Sequence, residues 1–268
     1  MKFKRNIKFF NLEGIMNLTE LNPKGRFSSR VENYAKYRPN YPNEIIGFLN
    51  TSIGLTKGEI IADIGSGTGI SAKLFLDNEN EVYGIEPNAE MRSAGEKYLI
   101  HYTNFHSIDA SSEYTKLESE SVDVITSGQA FHWFEPEATK KEFLRILKPG
   151  GFVVIINNRR KFSNSQFMNE YMELIEKYSE REGGNSLNTN LPKFFGLKTI
   201  NKEIFSNPQV YNLERLKGDL VSYSYIPNEE DSRFNYMISE LELLFEKYNK
   251  NGTLIFDYET VVYYCKMK

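Results

Sequence analysis

Between residues 44 and 158 the chain repeats one unit: a short apolar run, a turn, and a segment of helical periodicity. Residues 59–64, 81–86, 104–107, 122–126 and 152–156 read as strands, and residues 70–77, 88–98 and 136–147 read as helices between them. A short apolar run bounded by turn residues suits a strand covered on both faces. A helix between two such strands returns the chain so that they pair in parallel through right-handed crossovers. The pattern therefore predicts an α/β fold, a Rossmann-like doubly wound sheet, with ligands at the carboxyl ends of its strands. Upstream, a helix capped by Ser28 or Ser29 runs to about Tyr37 and must break at Arg38-Pro-Asn-Tyr-Pro42, because proline disfavours helix at the preceding residue. Another helix starts near Asn43. After Asn158 the reading is a helix over 163–179, a loop around 181–185, a strand over 199–205, two helices separated by 223–231, and an alternating strand over 253–264 that suits antiparallel pairing.

A chain of 268 residues with 40% hydrophobic content fits one large α/β domain better than two. The formal charge of -3 argues against non-specific nucleic-acid binding, which needs clustered Lys and Arg, and favours a small-molecule ligand. One cysteine, Cys265, can form neither an internal disulfide nor a cysteine-based zinc site, and His101 and His106 lack metal-site spacing, so no metal is expected. The basic N-terminal stretch is interrupted by Lys8, Asn11 and Glu13 before an apolar region develops, so no secretory signal is expected. No run approaches the roughly 18 apolar residues of a membrane span. A soluble, cytoplasmic monomer or homodimer is the expectation, with Met16 as an alternative start to Met1.

Gly65, Gly67 and Gly69 lie between a strand and a helix, where missing side chains let the backbone bend sharply and approach a ligand. Dinucleotides use the same turn, and Gly67-Thr-Gly-Ile-Ser-Ala72 satisfies the GxGxxA form, so an NAD-type oxidoreductase is one reading. Glu86, at the end of the second strand, suits the hydroxyls of a ribose in either cofactor. Asp63 separates the two, since a carboxylate beside the turn attracts the amino group and sulfonium of S-adenosylmethionine (SAM) and repels a pyrophosphate. Asp109 and Ala110, after the third strand, suit an adenine amino group, and Met91 offers an apolar surface to its ring. Gln129 and the backbone at Ser127, ending the fourth strand, are placed for the methionine portion. The combination favours SAM; binding of SAM without turnover is a further alternative.

Asp63-Ile-Gly-Ser-Gly-Thr-Gly69, Gly84-Ile-Glu-Pro-Asn-Ala-Glu-Met91, Ser107-Ile-Asp-Ala-Ser111 and Leu147-Lys-Pro-Gly-Gly151 resemble, in order, motifs of class I SAM-dependent methyltransferases. These motifs bring Ser66 and Pro87 into the expected cofactor-binding set. Arg26-Phe-Ser-Ser-Arg30, residues 34–42, Gln129-Ala-Phe-His-Trp133, Ser222-Tyr-Ser-Tyr-Ile-Pro227 and Tyr258-Glu-Thr260 resemble the branch of trans-aconitate and UbiE-type small-molecule methyltransferases. The resemblance implies a seven-strand sheet of order 3-2-1-4-5-7-6 with strand seven antiparallel and SAM across strands one to three. It implies a single methyltransferase domain over 1–268: an N-terminal helical lid (26–43), a SAM-binding core (44–158), and a C-terminal part (159–268) with a helical insertion before the last strand. The reaction implied is methyl transfer to a small molecule, with a carboxylic acid as one candidate.

Methyl transfer from a sulfonium is an in-line displacement, so the protein must chiefly align donor and acceptor and exclude water. A carboxylic acid, with a pKa of about 4, is already ionised and needs no base. Arg38 is then expected to bind the carboxylate of cofactor or substrate bidentately, and Arg159 and Arg160 have an address suited to substrate acids. Tyr34, and with less weight Tyr41, are expected to wall the pocket. His132 is the candidate base for a protonated oxygen or nitrogen acceptor.

Overall fold

The computed structural model describes residues 31–161, 165–179 and 187–268. The expected caps at Ser28 and Ser29, the motif over 26–30, the alternative start at Met16 and the loop over 181–185 lie outside the described residues. Five parallel strands, β1 (Ile60–Ile64), β2 (Glu81–Ile85), β3 (Phe105–Ile108), β4 (Val122–Gly128) and β5 (Leu147–Arg160), form most of the main sheet. β6 (Asn201–Ser206) and β9 (Tyr258–Lys266) complete it in the order β3-β2-β1-β4-β5-β9-β6. β9 pairs antiparallel with both β5 and β6, which is the inserted antiparallel strand that the resemblance implies.

Alternation along the strands divides the core in two, because successive side chains point to opposite faces. Ala62, Ile64, Ile125, Val153 and Ile155 join one cluster, and Ile61, Val82, Val124, Val154 and Ile156 the other. Against the second cluster lie α2 (Glu44–Ile53), through Ile45 and Leu49, and α3 (Ile70–Leu76), through Ala72 and Phe75. α4 (Ala89–Tyr98) starts at Asn88, whose side chain accepts from the Met91 amide. On the first face, α5 (Pro136–Ile146) is capped by Glu135, which accepts from the amides of Glu137 and Ala138.

A third, aromatic core fills the C-terminal half. α6 (Gln166–Tyr178), α8 (Leu213–Val221), α9 (Phe234–Tyr248) and a ribbon of β7 (Gln209–Tyr211) and β8 (Leu254–Phe256) enclose Tyr171, Tyr211, Leu216, Tyr223, Leu241 and Phe256. The N-terminal helix α1 (Val31–Tyr37) docks on α8, where Lys36 Nζ and Tyr37 OH donate to Glu214 Oε1 at 2.8 and 2.9 Å.

The sequence reading differs from the structure in several places. The closing strand is split, with β8 leaving the main sheet to pair with β7 before β9 begins. β5 runs to Arg160, beyond its apolar part, because β9 supplies ladder partners as far as Tyr258. α7 (Leu187–Phe195) has no counterpart in the sequence pattern; it contains Pro192 and sets Phe194 against Phe131 and Phe143, with ring centroids 5.0 and 5.4 Å apart. Among the described residues no helix is long and apolar enough to cross a membrane.

Candidate active site

The turn after β1 takes its shape from its glycines. Gly65, Gly67 and Gly69 have φ of 69°, 55° and 85°, in the region that residues with a Cβ rarely occupy. A Cβ on Gly65 would lie 2.4 Å from Ala130 Cβ, and one on Gly69 would lie 2.7 Å from Leu99 Cδ1. The amides of Gly65 and Ser66 donate to the Ile85 carbonyl at 2.8 and 3.1 Å, fastening this turn to the end of β2. Glu86 fastens it again: its carboxylate accepts from the amides of Gly67 at 3.0 Å and Asn88 at 2.8 Å.

Asp63 is fully buried at the end of β1. Its Oδ2 accepts from Ser71 Oγ at 2.6 Å, while Oδ1 is enclosed without a hydrogen-bond partner. Burial pushes the carboxyl up to about 7; the Ser71 hydroxyl opposes that rise, the charge of Glu86 adds to it, and the Ala72 amide opposes it. A buried acceptor left open beside the turn suits a cationic donor such as an ammonium group.

A cavity of about 490 Å³ opens over the carboxyl ends of β1, β2 and β4. Of the residues expected at the site, Tyr34, Arg38, Gly65, Ser66, Gly67, Glu86, Pro87, Met91 and Gln129 line it, as does Tyr41. Asp63 lies behind its wall, next to the lining Ser71, and Gly69 forms the start of α3. Asp109 is turned outward: its side chain is 66% exposed and pairs with Arg92 Nη1 at 3.2 Å. Ala110 sits in the core, and the Ser127 side chain is buried with its hydroxyl unpartnered. His132 is not among the lining residues; its ring lies 5.0 Å from that of Trp133, which is.

Sequence reasoning missed several lining residues. Ser111, Ser112 and Glu113 follow the expected adenine contact directly and occupy the wall that Asp109 leaves. Ala130 was missed too, whereas Trp133 and Phe134, whose position beside His132 suggests packing of the pocket wall, do line it; a short 3-10 turn over Phe131–Trp133 decides which aromatic faces inward. Gln129 has a φ of 59°, uncommon outside glycine, and donates from Nε2 to the Asn158 carbonyl at 2.8 Å. The detectable signal was a polar residue, Asn158, ending an apolar strand.

The roof comes from the segment after α1. The Arg38 guanidinium lies 4.9 Å over the Tyr34 ring and 4.2 Å over that of Tyr223, and its Nε is buried without an acceptor. Asn158 Nδ2 donates to the Pro39 carbonyl at 3.1 Å, and Asn207 Nδ2 to that of Asn40 at 2.9 Å, which fix the segment over the strand ends. Burial raises the Tyr34 phenol; Arg38 pulls it down, and Glu86 and Asp219 push it further up, so it is neutral at pH 7. Among the described residues no group of three or more His, Cys, Asp or Glu side chains is placed to hold a metal ion.

Residues 62–155, which hold the turn and β2 to β4 whole, match the profile of the family described as Methyltransferase domain. An uncharacterized methyltransferase of Schizosaccharomyces pombe is 26% identical over 88% of this chain and 95% of its own length. One of Mycobacterium tuberculosis is 29% identical over 50% of this chain and 52% of its own. Among solved structures, a protein provisionally assigned as a type II methyltransferase from Anaeromyxobacter dehalogenans superposes with a TM-score of 0.67 at 16% identity, covering 86% of this chain and 98% of that one. The fold, the glycine turn and these likenesses define the chain as a class I SAM-dependent methyltransferase, with SAM as its cofactor.

Proposed function

We propose that the cavity takes SAM against the glycine turn and that the chain methylates a small acidic molecule admitted beneath Tyr34 and Arg38. The observation that carries this reading is the unpartnered Oδ1 of Asp63, buried behind the cavity wall next to a turn from which side chains are excluded. When bound, SAM supplies a methyl group already activated on a sulfonium. Glu86 accepts from the ribose hydroxyls, and Ser66, Gly67 and Pro87 shape its bed. Asp63 with Ser71 complements the methionine amino group, and Gln129 and the backbone at Ser127 border the same end.

Met91 and Phe134 offer apolar faces to the adenine, and its polar edge falls to Ser111, Ser112 and Glu113, with Asp109 and Ala110 holding that loop. Tyr34 and Trp133 exclude water from the reacting atoms and present aromatic faces to the sulfonium. Arg38 takes a carboxylate at the roof. An acidic acceptor reaches the site ionised, so the chain needs to orient it and not deprotonate it, which agrees with a wall that presents Trp133 and not His132. A similar protein, the malonyl-[acyl-carrier protein] O-methyltransferase of Marinomonas, is 22% identical over 81% of this chain and 84% of its own length, and its name supports an acid as acceptor. In this reading residues 26–43, 44–158 and 159–268 serve as lid, cofactor core and substrate cap of one cytoplasmic enzyme.

Calorimetric titration with S-adenosylhomocysteine (SAH) tests the cofactor site, and a panel of aconitate, short dicarboxylates, fatty acids and phenols, read by SAH release, tests the acceptor. Folded protein that binds no SAH sinks the whole reading. Release with phenols alone would reject the acidic acceptor.

A further inference from the structure

We infer that Arg160 is the seat of a substrate carboxylate, separate from the atom that receives the methyl group and from the cofactor's own acid on Arg38. The inference rests on the reading above and assigns the substrate class, an organic acid with a second nucleophilic group. Along β5, Asn158 lines the cavity, and strand alternation puts Arg160 on the same face, one step beyond the lining, while Arg159 points the other way and pairs with Glu259. Opposite Arg160 in the ladder stands Tyr258, whose hydroxyl approaches Asp219 Oδ2 and the Tyr223 hydroxyl, each at 3.3 Å.

The Tyr223 ring joins the two arginines. Arg38 lies 4.2 Å and Arg160 4.8 Å from its centre, and Tyr225 OH accepts from Arg160 Nη2 at 3.1 Å. Neither guanidinium is satisfied: Arg38 Nε and Arg160 Nη1 are both shielded from solvent and without an acceptor. The carboxylate of Asp219 faces Arg38, but its Oδ2 accepts from Tyr223 OH at 2.6 Å and it takes no hydrogen bond from Arg160 Nη1. Shielded cationic donors without acceptors are costly in a finished core and are complemented by a desolvated anion. One fork among phenols suits a singly charged planar carboxylate better than a doubly charged phosphate. A carboxylate held this way has its lone pairs engaged and its charge neutralised, which makes it a handle and a poor nucleophile.

The test uses the full chain loaded with SAH, with glutarate, trans-aconitate and phosphoethanolamine as probes, in the wild type and in Arg160→Met, Arg160→Lys and Tyr225→Phe. At least one of the two carboxylates is expected to bind the wild type and to lose tenfold or more in affinity in Arg160→Met. Arg160→Lys should recover part of that loss, and SAH affinity should change less than twofold throughout. Carboxylate binding that is absent, or equal in wild type and Arg160→Met, overturns the proposal, as does Arg160-dependent binding of phosphoethanolamine alone. Should Arg160→Met fail to fold, Arg160→Lys and Tyr225→Phe with unchanged carboxylate affinity overturn it equally. Loss of SAH binding in the wild type would instead remove the cofactor reading beneath it.

Discussion

Alanine at Gly218 should loosen the roof of the active site without touching it. A Cβ there would lie 2.0 Å from Tyr37 Cδ2 and 2.2 Å from Cε2, through the face on which α1 docks against α8. Non-bonded carbons rest about 3.5–4.0 Å apart, so the ring must retreat by roughly 1.5–2 Å. Overpacking of this kind costs roughly 1–3 kcal/mol. Glycine to alanine within a helix would by itself stabilise α8 by about 1 kcal/mol, so the two effects have opposite signs and can be told apart. Because α1 carries Tyr34 and leads directly into Arg38, the strain should appear as a displaced roof. At about 1.4 kcal/mol per tenfold, SAH affinity should fall by between about fivefold and a hundredfold. Calorimetry with SAH on Gly218→Ala, Tyr37→Ala and the double variant completes a cycle in which the second substitution removes the ring and relieves the first. Wild-type SAH affinity in Gly218→Ala, or a double variant no better than the worse single one, would refute the idea that α1 docking shapes the cofactor site.

Asp63 predicts a pH dependence. Its carboxyl is raised by burial from 3.8 to about 7, so it costs the unliganded fold nothing below the unfolded value and progressively more as pH rises through the folded one. SAH, which brings an ammonium group, should bind the wild type more tightly at pH 8 than at pH 6 and release a proton, detectable by calorimetry in buffers of different ionisation enthalpy. Asp63→Asn should flatten both trends, and an equally steep profile in that variant would exclude Asp63 as the titrating group. Glu86→Gln loses a charge-assisted acceptor of about 1.5–3 kcal/mol, roughly ten- to a hundredfold in SAH affinity; unchanged binding would show that the ribose lies elsewhere. His132→Ala should keep most of its turnover on a carboxylic acid, and a hundredfold loss at constant SAH affinity would reinstate it as a base.

Strand order was legible because each parallel strand carries its own apolar run and the helices between them leave one way to wind. The places that were not legible depend on partners distant in the chain. Asn157 to Arg160 extend β5 only because β9 lies beside them, and Pro192 suggests a break where the Phe131 and Phe143 rings reward a helix. At the site, glycine spacing announced the turn, since positive φ leaves few other residues. Which of two adjacent side chains faces inward was beyond reach: a single 3-10 turn sends Trp133 to the cavity in place of His132. Arg92 likewise draws Asp109 outward. The address of Arg160 could be read from the strand, but its shared ring with Arg38 could not, because Tyr223 arrives from the far side of the aromatic core.

The central position of β9 also governs how the sheet is assembled. β5 and β6 are both translated before the strand that joins them, so during synthesis each offers an unsatisfied row of amides and carbonyls. Until β9 threads between them, the nascent protein carries two adhesive borders that any extended peptide can template upon. Quality control in the cell must therefore act on a polypeptide whose cofactor half is already wound, and lesions in β9 should appear as aggregation before they appear as lost catalysis.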